Sequence, residues 1–123
     1  MNRTMVISLK FTKTKHLLCR ARINGFSASL LVDTGASNSC IHNELKEQYK
    51  LRTKGDPFDA SGASEGKMTA LMTRKCELFL GRHKVGNHSF VLLDLNHVNK
   101  TLQSQGGKQI DGILGADFLI KKK

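Results

Sequence analysis

Asp33 stands directly after an apolar run, Phe26 to Val32, and is followed by Thr34 and Gly35. A carboxylate at the end of a rigid strand projects into whatever space the strand opens onto, and a glycine two residues on lets the chain turn so that backbone N–H groups point back at it. Thr34 adds a short, stiff hydroxyl that both donates and accepts. Ionised, a carboxyl takes a proton from water; protonated, it gives one to a leaving group; one carboxyl cannot do both in a single step. Two carboxyls about 3 Å apart can, because they cannot both ionise and so share one proton. The bland alternative for an isolated Asp-Thr-Gly is an Asx-turn or a helix cap after a strand. Other chemistry-bearing types fall away. The five histidines at 16, 42, 83, 88 and 97 show no zinc-ligand spacing, and His83 and His88 read as surface groups. Cys40-Ile41-His42 puts thiol and imidazole on one extended face but lacks an orienting third group. Gly106-Gly107-Lys108 lacks the full phosphate-cradling pattern.

The elements that must hold Asp33 read mostly as strands. Met5, Ile7, Leu9 and Phe11 alternate with polar or smaller residues, as do Leu17, Cys19, Ala21 and Ile23 with His16, Leu18, Arg20 and Arg22. Asn24-Gly25 then joins two such runs, the strongest short-range hairpin signal. After Asp33, a cap at Asn38, Ser39 or Asn43 would open a short helix with Leu45, Gln48 and Tyr49 on one face. Gly55 to Gly66 is polar and glycine-rich and reads as an exposed turn or hairpin tip. Lys67 to Thr73, Cys76 to Leu80 and the run Phe90-Val91-Leu92-Leu93 are strand-like, with Gly81-Arg82 a turn. Asn96 to Gly107 is open between a short helix around Val98 and Leu102 and irregular chain. Short strands between Gly, Asn and Ser turns, with two or three brief helices at most, predict a mostly β domain around an open or partly closed barrel.

The chain has 123 residues, the size of one domain. Its 20 Lys and Arg against 10 Asp and Glu give +10, but the basic residues are spread along the chain and there is no Trp and one Tyr. Nucleic-acid binding would ask for a contiguous basic stripe with stacking aromatics, so it is not the expected main role. Three cysteines, without Cys-x-x-Cys spacing, argue against a disulfide-stapled secreted domain and a zinc knuckle. Neither a signal-peptide core nor a long apolar span is evident, so the expectation is a soluble, cytoplasmic chain off the membrane.

The stretch Leu30-Leu31-Val32-Asp33-Thr34-Gly35-Ala36-Ser37, with Gly112-Ile113-Leu114-Gly115-Ala116-Asp117-Phe118-Leu119 far downstream, resembles the paired signatures of the retroviral-type, retropepsin-like aspartic proteases. The resemblance covers nearly the whole chain in layout and is specific at these two sites. It implies a closed or partly open acid-protease barrel, a pepsin-lobe-like domain over residues 1–123 with one or two short helices. The implied activity is an aspartic endopeptidase without metal or cofactor, acting on polypeptide. This chain carries a single Asp-Thr-Gly, and Asp111 and Asp117 lack an equivalent triplet, so the second acid must be Asp33 of another copy and the enzyme a homodimer.

On this resemblance Asp33, Thr34 and Gly35 are catalytic, with Thr34 bonding across to the other subunit's backbone. Leu114 and Gly115 support the Asp33 loop from behind, and Ala36 and Ile113 touch substrate. The segment Asp59 to Lys67 matches the flap in placement, so Gly62, Ala63, Ser64 and Gly66 would close over the peptide, although Glu65 and Lys67 bring charge to a tip that is mostly glycine and apolar in relatives. Asp117 reads as a helix-end or surface residue. Relatives continue past the helix opening near Ala116, whereas here Ile120 leads into three lysines, so the expectation is a domain lacking the usual C-terminal strand, either a shortened chain, a processed product, or a variant whose dimer rests on Met5 to Phe11. The competing expectation is a catalytically inactive peptide-binding module or a truncated fragment of the same fold.

Overall fold

The computed structural model describes residues 9–11, 17–60 and 68–121. Strands β2 (Leu17–Ile23) and β3 (Phe26–Val32) form the hairpin that Asn24-Gly25 predicts, paired from Leu18↔Leu31 to Ile23↔Phe26. Both turn residues take positive φ, 51° and 88°, as a tight two-residue connection demands. Asn24 also ties the hairpin down: its Nδ2 donates to Tyr49 O at 2.9 Å and its Oδ1 accepts from Glu77 N–H at 3.0 Å. Strand alternation holds along β2, where Cys19, Ala21 and Ile23 are buried and Arg20 and Arg22 exposed. Of the segment read as a strand over Met5 to Phe11, β1 (Leu9–Phe11) is described and pairs antiparallel with β2; the rest lies outside the described residues.

The remaining strands are β4 (Cys40–His42), β5 (Thr53–Asp59), β6 (Thr69–Thr73), β7 (Cys76–Leu80), β8 (His83–His88), β9 (Val91–Leu93) and β10 (Gly112–Leu114). Together they form one sheet in the order β5-β6-β9-β4-β10-β3-β2-β7-β8, with β1 beside β2. Among the described strands the two ends, β5 and β8, do not pair, so the sheet curls without closing. Neither edge invites closure: β5 is exposed from Lys54 to Asp59, and β8 reads His-Lys-Val-Gly-Asn-His with no buried position.

Two local expectations change. Residues 55–59, read as part of a hairpin tip, belong to β5. An edge strand bare on both faces has no alternation to read, and Pro57 is tolerated there because the ladder with β6 is irregular between Lys54 and Phe58. The helix expected before Tyr49 is one 3-10 turn, Asn43–Leu45, followed by turns to Lys50, and no side chain caps it. Asn96 to Gly107 resolves into helix α1 (Asn96–Ser104), and α2 spans Ala116–Lys121.

The main core packs Ile23, Leu30, Ile41, Leu78, Leu80, Phe90, Leu114 and Phe118 between the strands. A smaller cluster of Leu31, Leu102 and Ile110 fastens α1 to the opposite face of β3, where Leu31 points away from Leu30. Buried Asn99 of α1 locks this contact: its Oδ1 accepts from Ile110 N–H at 2.7 Å and its Nδ2 donates to Ile110 O at 3.2 Å. Strand β3, which leads into Asp33, is thus held on both faces.

Candidate active site

Strand β10 runs parallel to β3, pairing Gly112↔Leu30, Ile113↔Leu31 and Leu114↔Val32, and antiparallel to β4 on its other side. The ladder extends one step further, because Asp33 N–H donates to Leu114 O at 3.0 Å. There the chain turns. Ala36 N–H donates to Asp33 O at 3.2 Å and Gly35 N–H to Asp33 Oδ1 at 2.9 Å. The carboxyl is exposed, with Oδ1 anchored by that one donor and Oδ2 unbonded among the described residues. The Asx-turn geometry is therefore present, and it orients the carboxyl rather than burying it. Thr34 is exposed and its hydroxyl forms no hydrogen bond among the described residues.

Residues 36–39 are clasped from below by the chain leaving β10. Ala116 N–H donates to Ala36 O at 2.7 Å and Asp117 N–H to Ser37 O at 3.1 Å. Buried Ser39 is the centre of the clasp: its Oγ donates to Asp117 Oδ1 at 2.7 Å and accepts from Gly115 N–H at 2.9 Å, while its own N–H donates to the same Asp117 oxygen at 2.9 Å. Asp117 lies at the helix end, as expected, in the first turn of α2; beyond that it is the acceptor that binds these two chain segments together, and it also receives Phe118 N–H at 2.8 Å. His88, read as a surface group, reaches Asp117 Oδ2 at 3.3 Å and sits edge-on between Phe90 and Phe118. Burial works against the charge of Asp117, but the donors from Ser39 and Phe118, with His88 beside them, outweigh it and hold this carboxyl below its ordinary range.

The glycines of the second signature are required by close approach. A Cβ on Gly112 would lie 2.4 Å from Cys40 O, and one on Gly115 would lie 2.7 Å from Ala36 O. Leu114 is buried in the main core, and its carbonyl receives Asp33 N–H. Ile113, on the alternate face of β10, is half-buried between the α1 cluster and a second cluster of Cys40, Val91 and Leu95. Ala36 is half-buried. Gly62, Ala63, Ser64 and Gly66 lie outside the described residues, while β5 and β6 on either side of them pair antiparallel.

Cys40 is buried and its thiol is pushed up to about 11 by desolvation, so it carries no thiolate at neutral pH. His42 is committed elsewhere: its Nδ1 accepts from Leu95 N–H at 3.0 Å and its Nε2 lies 3.0 Å from Glu44. All three cysteines are free and buried. Among the described residues no three His, Cys, Asp or Glu side chains gather as a metal site, and no helix is long and apolar enough to cross a membrane.

The sheet presents Asp-Thr-Gly at the end of β3, backed by the Gly112–Leu114 strand, in a mostly β, pepsin-lobe-like fold with two short helices. Residues 19–118 match the family model described as aspartyl protease, and the chain belongs to that family. The structure is similar to the retroviral protease-like domain of Ddi1 from Leishmania major, with TM-score 0.59 and 16% identity over 86% of this chain and 76% of that one. It is similar also to the EIAV protease in an inhibitor complex, with TM-score 0.55 and 16% identity over 98% of this chain and 92% of that one. A retropepsin-like aspartic protease from Rickettsia conorii gives TM-score 0.55 and 15% identity over 98% and 86%. No curated protein matches the sequence.

Proposed function

We propose that two copies of this chain, each a domain spanning residues 1–123, pair about a two-fold axis to form an aspartic endopeptidase whose catalytic dyad is Asp33 from each. The observation that carries this reading is the exposed Asp33 carboxyl, oriented through one oxygen by Gly35 N–H and with the other oxygen open among the described residues, in a chain with a single Asp-Thr-Gly. A two-fold axis puts the same residue on both sides of the cleft.

With one proton between the two carboxyls, the ionised Asp33 takes a proton from water as the water oxygen bonds to the scissile carbonyl carbon. The partner's protonated Asp33 donates to the carbonyl oxygen, giving a neutral gem-diol. In the second step a proton passes to the amide nitrogen, the C–N bond breaks, and a carboxylic acid and an amine leave. No covalent intermediate with the protein forms. The open Thr34 hydroxyl is the group that would reach the partner's backbone and brace the dyad, and Ala36, Ile113 and residues 62–66 are the positions assigned to peptide contact.

Asp33→Asn is expected to lower cleavage of an unfolded polypeptide by about a thousandfold or more, with unchanged urea stability, because it removes the base and its shared proton from an exposed site. A statine-type inhibitor should block the unsubstituted protein. Full activity in Asp33→Asn would refute the reading; peptide binding without cleavage in either protein would leave a binding module.

A further inference from the structure

On the face of the sheet away from the main core, β2 and β3 set two arginines opposite two serines: Arg20 pairs with Ser29 and Arg22 with Ser27. The β7–β8 turn brings Arg82 over the same place, and a groove of about 580 Å³ opens between them. All three arginines are exposed, and among the described residues none has a carboxylate within ion-pair distance. The one carboxylate in the lining, Asp111, is engaged through Oδ2 with Ser29 N–H at 2.8 Å. Three guanidinium groups therefore share the groove with one carboxylate that is already hydrogen-bonded to Ser29, and the lining carries a net positive charge.

We propose that this groove binds an acidic, extended polypeptide segment. Guanidinium forks match carboxylates with two parallel hydrogen bonds, and Ser27 and Ser29 supply hydroxyls for the peptide's remaining polar groups. Arg20 and Arg22, two residues apart on one strand face, are separated by about 7 Å, which is also the repeat of alternate side chains along an extended peptide. Acidic residues at every second position would thus meet both arginines in register. A polynucleotide fits less well, because the lining contains no aromatic side chain on which a base could stack.

The groove shares a strand with the candidate site. Ser29 is four residues before Asp33, roughly 13 Å along an extended chain. Resting on the peptidase reading, the groove would select substrates bearing an acidic stretch outside the residues that flank the cut bond.

The test uses the full chain carrying Asp33→Asn, so that nothing is cut, and fluorescence anisotropy with a labelled Glu-Thr repeat peptide. Binding should exceed that of the matching Gln-Thr peptide. It should weaken by about tenfold or more in Arg20→Gln/Arg22→Gln, and stay within about twofold in Arg52→Gln/Lys100→Gln, which removes the same charge from exposed positions elsewhere. Equal loss in both double variants would overturn the groove as the site. So would an oligothymidylate of equal charge that binds as tightly with the same arginine dependence, since the groove would then read phosphate chains. Cleavage by the unsubstituted protein is scored separately. Arginine-dependent binding without any cleavage sinks the catalytic reading and keeps the groove, and cleavage without arginine-dependent binding does the reverse.

Discussion

Asp33 and Asp117 carry the same side chain and are set to opposite tasks by their donors. Among the described residues the Asp33 carboxyl accepts one hydrogen bond, on Oδ1, whereas Asp117 collects the Ser39 N–H, the Ser39 hydroxyl and the Phe118 N–H on a single oxygen. Asp117 is depressed in the folded state relative to an unfolded carboxyl near 3.9. A depressed folded value contributes stability that is present above the unfolded value and lost as pH falls through the folded one. The urea midpoint should therefore fall as pH drops below the unfolded carboxyl range, and part of that slope should vanish in Asp117→Asn, which keeps an acceptor without the charge. An unchanged acid slope in the variant would count against the clasp. Asp33 was legible because its signature is local: an apolar strand, a threonine, a glycine. The clasp role of Asp117 was not, since its partner Ser39 lies 78 positions away, and no periodicity announces a hydrogen bond across that distance. His88 was misread for the same reason, its shelter being built by Phe90, Phe118 and Asp117 together.

At the scale of elements, β10 is the wedge on which the site depends, pressed between β3 and β4. Gly112→Ala would drive a methyl into Cys40 O and should cost about 1–3 kcal/mol or more in urea denaturation, as overpacking does. Leu114→Ala would open a cavity in the main core and should cost about 2–5 kcal/mol. A variant at either position with wild-type stability would mean that β10 is not held as described. Elements with a two-residue alternation or a dedicated turn pair, such as β2 and β3 around Asn24-Gly25, could be read from sequence. Strand β5 could not, because both its faces are exposed and its pairing, not its pattern, makes it a strand. Nor could the open ends of the sheet, since closure depends on how two edges remote in sequence meet.

For the whole molecule, charge sets two opposite salt responses. Two subunits at +10 each repel, and that repulsion is screened as the Debye length shrinks from about 10 Å at 0.1 M to about 3 Å at 1 M salt. Dimerisation followed by sedimentation should tighten with added salt, while acidic-peptide binding in the Arg20–Arg22 groove should weaken. Dimerisation that weakened with salt would show that attractive ion pairs dominate the subunit contact. The central claim, that each active centre takes one Asp33 from each of two chains, is tested most directly by subunit mixing. Unsubstituted chain and Asp33→Asn are combined at a fixed total concentration, allowed to exchange, and assayed for cleavage. If both carboxyls are needed, activity follows the square of the unsubstituted fraction and falls to roughly a quarter at equal mixing. Activity proportional to that fraction, about half at equal mixing, would show that a single chain does the chemistry and would contradict the account.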